Sequence, residues 1–233
     1  VMRVTGLVLA GGAGTRFGGP KALARADDGT PWIRLAVETL RAGGCDDVVV
    51  ALGAGAGDAR ELVPPDARVV VAGDWAKGVA ATLRAGLLAC TTTAVLDGPR
   101  ANPRGEGVSG EDCRTPTSDA VVILPVDTPD TPPSAVARVI AAARMTTADS
   151  PSERDIARRS SAAGADRRRP ASALVQATYG ARPGHPVLIG SAHVAALAGA
   201  AAGDRGARPY LVAHGVIEVD CADLWSGDDI DRR

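Results

Sequence analysis

The residues with the clearest chemical purpose lie near the start of the chain. Leu9-Ala10-Gly11-Gly12-Ala13-Gly14-Thr15-Arg16-Phe17-Gly18-Gly19-Pro20-Lys21 sets five glycines, an arginine and a lysine directly after an apolar, β-rich run. Glycine lets the backbone take positive φ and turn its N–H groups onto an anion. Arg16 can fork onto phosphate oxygens, and Lys21 adds a compact point charge. The pattern suits a triphosphate better than a dinucleotide. A Walker-type loop needs Ser or Thr after its lysine, and Ala22 stands there. A dinucleotide fingerprint needs a third glycine where Phe17 stands and an acid closing a second strand, which neither Asp27 nor Asp28 does. The bland alternative is a flexible turn.

A second feature is the run Val121-Val122-Ile123-Leu124-Pro125-Val126-Asp127-Thr128-Pro129, a buried strand ending in an acid. In open α/β sheets ligands bind beyond the carboxyl ends of the strands. Asp127 and the glycine loop are therefore expected to face one crevice. A triphosphate needs a hard cation to shield its charge, and Mg²⁺ accepts one or two carboxylates beside phosphate oxygens and water. The alternative for Asp127 is a turn or helix N-cap aspartate. His185, between Gly184 and Pro186, reads either as a contact to a second substrate or as a turn histidine bonded to backbone. Trp75, beside Asp74, fits core packing.

These residues need a scaffold, and the pattern around them supplies one. Val4 to Ala10, Asp47 to Leu52, Ala67 to Val71, Ala120 to Val126 and Ala173 to Tyr179 read as strands, with a late short strand over Val216 to Val219. Pro31 to Ala42, Val79 to Leu88, Ser134 to Ala143 (Ser134 as N-cap) and Val194 to Ala202 read as helices. Arg182 to Pro186 reads as a turn. Alternating strands and helices predict an α/β class: a three-layer α/β/α, Rossmann-like domain with a mostly parallel mixed sheet over residues 1–233. The polar stretches 91–118 and 146–171, the latter with Arg167-Arg168-Arg169, are expected to be long surface insertions.

Composition narrows the partners. The net charge of −1 gives no electrostatic case for nucleic acid or an anionic membrane. The longest apolar runs are too short to span a bilayer. Cys45, Cys90, Cys113 and Cys221 form no CxxC, so neither a zinc site nor a disulfide framework is expected. Scattered cysteines without a signal peptide predict a reduced, cytoplasmic protein.

At the level of motifs the chain resembles the molybdenum-cofactor nucleotidyltransferases and their sugar-nucleotide and cytidylyl relatives. Leu9-Ala10-Gly11-Gly12, Arg16, Gly18 and Lys21 match their signature loop. Asp74-Trp75-Ala76-Lys77-Gly78, Tyr179 to Leu188 and Gly203-Asp204-Arg205-Gly206-Ala207-Arg208 look most like the cytidylyltransferase branch. The resemblance implies a nucleotidyltransferase fold and Mg²⁺-dependent transfer of a nucleotide, from CTP in preference to GTP. The implied acceptor is a phosphorylated small molecule such as molybdopterin. A molybdenum enzyme or its chaperone would be the protein partner. It also implies the roles. Leu9, Ala10, Gly11, Gly12, Gly14, Lys21 and Asp74 would hold the nucleotide. Arg16, Lys21 and Asp127 would be catalytic, and Trp75 and His185 would meet the substrate. Asp127 and Asp231 would hold the metal; Asp231 lies in Asp228-Asp229-Ile230-Asp231, with Asp220 as the alternative ligand. Phe17 to Lys21 and Ala207 to Leu211 also resemble a branch of NAD(P)H-dependent reductases of a blue nicotine-derived pigment. A non-catalytic binder of the finished cofactor is a third possibility.

Overall fold

Side chains alternate along β1 (Val4–Ala10) and split the core in two. Val4, Val8 and Ala10 point to one face, and Leu7 and Leu9 to the other. β2 (Asp47–Leu52) and β4 (Ala120–Pro125) repeat the pattern: Val48, Val50, Val122 and Leu124 face one cluster, while Val49, Ala51, Val121 and Ile123 face its opposite. A sheet apolar on both faces must be covered on both. α1 (Trp32–Ala42) and α4 (Pro133–Met145) cover the first through Ile33, Val37, Leu40, Val136, Val139 and Ile140. α3 (Val79–Thr91), α5 (Ser191–Ala200) and α6 (Arg208–Ala213) cover the second through Leu83, Leu87, Val194, Leu197 and Leu211. α2 (Ala56–Arg60) is a single short turn of helix after β2. The result is the three-layer α/β/α arrangement that the alternation predicts.

The computed structural model describes residues 2–91, 118–145, 170–203 and 206–232. The two expected insertions fall outside the described residues except at their ends, as do Cys113, Arg167 to Arg169, Asp204 and Arg205. With β3 (Arg68–Val71), β5 (Leu174–Tyr179), β6 (Arg182–Gly190) and β7 (Ile217–Asp220), the sheet order is β3-β2-β1-β4-β6-β5-β7. β1 pairs parallel with β2 and β4, β2 with β3, and β5 with β7; β6 runs against both β4 and β5. Among the described strands β6 alone is reversed, so the sheet is mixed and mostly parallel. No helix of the described residues is long and apolar enough to cross a membrane.

The strand, glycine loop and helix follow in order, with the helix where Pro31 to Ala42 predicts it. The loop ends in a 3₁₀ turn, Lys21–Leu23, and α1 starts at Trp32, so no helix N-terminus directly follows the loop. Two local expectations are corrected. Arg182 to Pro186 is not a turn but the start of β6. The turn is the two-residue hairpin loop Gly180–Ala181, with Gly180 at φ 64° and Tyr179 paired to Arg182. A register shift between Gln176 and Thr178 accompanies the Pro183 pairing, where no N–H is available for the ladder. Ser134 is inside α4 rather than its cap, because Pro133 already opens the helix, a position proline favours.

Candidate functional site

β1 and β4 are adjacent and parallel, so the segments leaving their carboxyl ends emerge side by side. β1 delivers the glycine loop, and β4 delivers Asp127. The loop is held by its own backbone: the N–H groups of Phe17, Gly18 and Gly19 donate to the Gly14 carbonyl at 2.9, 3.0 and 3.1 Å. Gly14 takes φ 59°, and a Cβ there would come within 1.9 Å of the Gly19 carbonyl oxygen, so glycine is required. Phe17 anchors the loop below, buried against Trp32 with ring centroids 5.3 Å apart. Gly11 packs on α3, where a Cβ would meet Thr82 Oγ1 at 2.1 Å.

Lys21 leaves this loop toward two acids. Its Nζ donates to Asp127 Oδ2 at 2.8 Å and to Asp231 Oδ1 at 2.8 Å. The Lys21 side chain is 14% exposed, Asp127 23% and Asp231 54%, so the cluster opens on solvent through its C-terminal member. Burial opposes the Lys21 ammonium, but the hydrogen bonds to Asp127 and Asp231 outweigh it and raise its pKa. Asp127, Asp229 and Asp231 each bring one carboxylate oxygen, all within 4.8 Å of one another. Octahedral ligands at about 2.1 Å from Mg²⁺ stand about 3.0 Å apart when cis and about 4.2 Å when trans. The three oxygens therefore fit a divalent cation after a small closure.

The C-terminal segment reaches this place by specific anchors. The Ile230 N–H donates to the Asp127 carbonyl at 2.9 Å. Ile230 packs against the core, while its neighbours Asp229 and Asp231 turn to the acid of β4. Upstream, Arg182 donates to the Ser226 carbonyl at 3.0 Å and to Asp228 at 3.1 Å. Gly227 lies against the Tyr179 ring, and Trp225 meets that ring edge-on at 5.3 Å.

The glycine loop, Lys21 and the three acids line a cavity of about 840 Å³ that also takes in Thr82, Leu83, Ile123, Gln176, Val187, Arg208 and Leu211. Leu9, Ala10, Gly11, Gly12, Gly14, Arg16, Lys21, Asp127, His185 and Asp231 all line it. The Lys21 hydrogen bond holds the Asp231 carboxyl down, and Arg16 adds to it. Burial pushes the His185 imidazole down to about 4, and Asp127 and Asp229 only partly offset this. His185 is therefore neutral at neutral pH, and its carbonyl accepts from Tyr179 Oη at 2.7 Å.

Asp74 and Trp75 are not among the lining residues. Asp74 pairs with Lys77 at 3.7 Å and Arg84 at 3.9 Å, and Trp75 packs its Cβ over Gly53. Asp220 ends the outermost strand, where its carboxylate accepts from the Ala222 N–H at 3.0 Å, away from the acidic cluster. Two lining features were not singled out from sequence. Asp229 is separated from Asp231 by an apolar residue, and that alternation was the available signal. Gln176 is a buried polar residue on β5 whose Oε1 accepts from Arg208 and whose Nε2 donates to the Gly184 carbonyl at 3.1 Å. The described cysteines, Cys45, Cys90 and Cys221, are buried; burial pushes Cys45 and Cys90 up to about 12, which makes them poor nucleophiles.

Comparison with known proteins agrees with this fold. The MobA-like NTP transferase domain matches residues 6–217. A nicotine blue oxidoreductase of Paenarthrobacter nicotinovorans is 31% identical over 98% of this chain and 92% of its own. The crystal structure of Rv0371c from Mycobacterium tuberculosis H37Rv superposes with a TM-score of 0.64 at 25% identity, covering 100% of this chain and 94% of that one. Its complex with manganese superposes with a TM-score of 0.57 at 22% identity, over 94% and 88% of the two chains. A nucleotidyl transferase from Methanothermobacter thermautotroptrophicus shares the fold, with a TM-score of 0.65 at 17% identity over 99% and 92%. The matched family span covers the glycine loop, Asp127 and the cavity lining as far as Leu211, and the chain belongs to the MobA-like NTP transferase domain family.

Proposed function

We propose that this protein is a divalent-metal-dependent nucleotidyltransferase that moves a nucleotide from a nucleoside triphosphate, CTP in preference to GTP, onto a phosphorylated small molecule of the molybdopterin class. The observation that carries the reading is the meeting of three carboxylates with a lysine beside a glycine loop. An acceptor phosphate oxygen attacks the α-phosphorus in line; the new P–O bond forms as the bond to the β-phosphate oxygen breaks, and pyrophosphate leaves. The protein needs no covalent intermediate for this. Its work is positioning and charge neutralisation. The loop amides and Arg16 grip the triphosphate, and Lys21 meets charge on the leaving pyrophosphate. Asp127, Asp229 and Asp231 would hold Mg²⁺, which shields the phosphate oxygens when bound. His185 and Arg208 belong to the acceptor side of the cavity, and the neutral imidazole offers hydrogen bonding without charge.

The reading is tested by incubating the protein with CTP or GTP, Mg²⁺ and molybdopterin, and measuring pyrophosphate together with the nucleotidylated product. Turnover is expected with one triphosphate and not in EDTA, and Asp127→Asn is expected to lose about 100-fold or more, of the order seen when a transition-state charge loses its stabiliser. Full activity in Asp127→Asn would remove the acid from the reaction.

A second reading rests on the 31% identity to a nicotine blue oxidoreductase. In that case the loop holds the pyrophosphate of NADH or NADPH, and Lys21 remains on its acids. Hydride transfer to a flat pigment in EDTA, without pyrophosphate release from any triphosphate, would favour it.

A further inference from the structure

Lys21 occupies the place a metal would need. Its ammonium bonds two of the three converging carboxylates, Asp127 and Asp231, each at 2.8 Å. A divalent ion about 2.1 Å from the same oxygens would stand against that ammonium, charge against charge, with no water between. The two cations are therefore alternatives for Asp127 and Asp231.

The surroundings allow the ammonium to leave without unfolding anything. The backbone at Lys21 is fixed: Leu23 N–H bonds the Pro20 carbonyl at 2.9 Å, Ala24 N–H bonds the Lys21 carbonyl at 3.0 Å, and Ala22 is buried. Only the flexible four-carbon stem has to swing. Both the acids and the glycine loop line the same cavity as Lys21, so a phosphate held by the loop offers a second anionic seat within that cavity.

We infer that Lys21 is the resident cation of the acidic cluster, and that phosphate capture, by drawing its ammonium off Asp127 and Asp231, opens the cluster to the divalent ion. This rests on the triphosphate and metal reading above. Lys21 then does more than bind phosphate: it keeps the metal seat filled until the nucleotide arrives. By linkage, metal and triphosphate each raise the other's affinity by one common factor.

The test is Mn²⁺ binding without nucleotide, followed by the electron paramagnetic resonance signal of free Mn²⁺ and by the shift in thermal midpoint. Lys21→Met and Lys21→Gln remove the resident charge, the second keeping a hydrogen-bond donor should the first fold poorly. Both are expected to bind Mn²⁺ at least ~10-fold more tightly than wild type. Lys21→Arg keeps a cation and is expected to bind as weakly as wild type, and Asp127→Asn to bind least. Equal Mn²⁺ affinity in wild type, Lys21→Met and Lys21→Gln, still lost in Asp127→Asn, overturns the resident-cation role and leaves the metal reading standing. No Mn²⁺ binding by any of them, with none stabilised by CTP plus Mn²⁺, overturns both.

Discussion

The Lys21 ammonium bonded to Asp231 holds that carboxyl below its ordinary value of 3.8. The folded state thus favours the ionised acid. The stability this pair contributes is complete above the ordinary carboxylate value and is lost as pH falls through the depressed one. At the other limit Lys21 is raised above 10.5, so its contribution is complete below that value and is lost as pH rises through the higher folded one. Asp231→Asn, unfolded in urea in the presence of EDTA, is expected to be less stable than wild type at neutral pH and to match it in strong acid. A deficit that persists unchanged in acid would mean that the ion pair is not its source. At this scale the loop was legible because glycine, arginine and lysine have few other reasons to follow a strand in that order. Asp127 was legible because an acid ending a buried strand lies at a predictable place. Asp229 was not, because alternation over Asp229-Ile230-Asp231 is too short to stand out in an acidic tail, and its placement depends on the Ile230 N–H meeting the Asp127 carbonyl, a contact across more than a hundred residues. Asp74 and Trp75 came from motif likeness alone, and the ion pairs of Asp74 with Lys77 and Arg84 were not readable from it.

Among the elements, α3 is the one whose seating matters most to the cavity. Gly86 lets it lie close on the sheet: a Cβ there would meet Leu7 Cδ1 at 2.5 Å and Ala51 Cβ at 3.2 Å. One turn earlier Thr82 closes on Gly11 of the loop. Gly86→Ala gains about 1 kcal/mol of helix propensity but forces overpacking that costs about 1–3 kcal/mol, so a net loss of about 1 kcal/mol is expected in urea denaturation. Triphosphate binding is expected to weaken with it, because α3 cannot lift without moving Thr82 from the loop. A more stable Gly86→Ala protein would show that Leu7 yields freely. The strands other than β6 were legible as short continuous apolar runs, and α1, α3, α4 and α5 as longer apolar-periodic segments between them. α2 and α6 were not: five and six residues are too few to show a helical period. The reversed β6 was hidden by Pro183 and Pro186, which read as a turn because proline lacks the ladder N–H, whereas the shifted register at Gln176 and Thr178 accommodates them.

For the whole molecule, sequence order and spatial order diverge. The strand order β3-β2-β1-β4-β6-β5-β7 brings residues 9–21, 127, 176–187, 206–211 and 227–231 to one rim. Alternation of strands and helices predicted the layers and the rim, but not which late segment would close it. With a net charge of −1 the chain has no general attraction for polyanions, so phosphate affinity has to arise locally, from Arg16, Lys21 and the loop amides. That makes ligand binding the most direct test of the central claim. Thermal midpoints would be measured with CTP, GTP, ATP, UTP, NADH and NADPH, each with Mg²⁺ and with EDTA, since a ligand that binds the native state raises the midpoint by mass action. A rise with one triphosphate that requires Mg²⁺, and none with either dinucleotide, is the expected result. A rise with NADH or NADPH in EDTA, and none with any triphosphate, would contradict it.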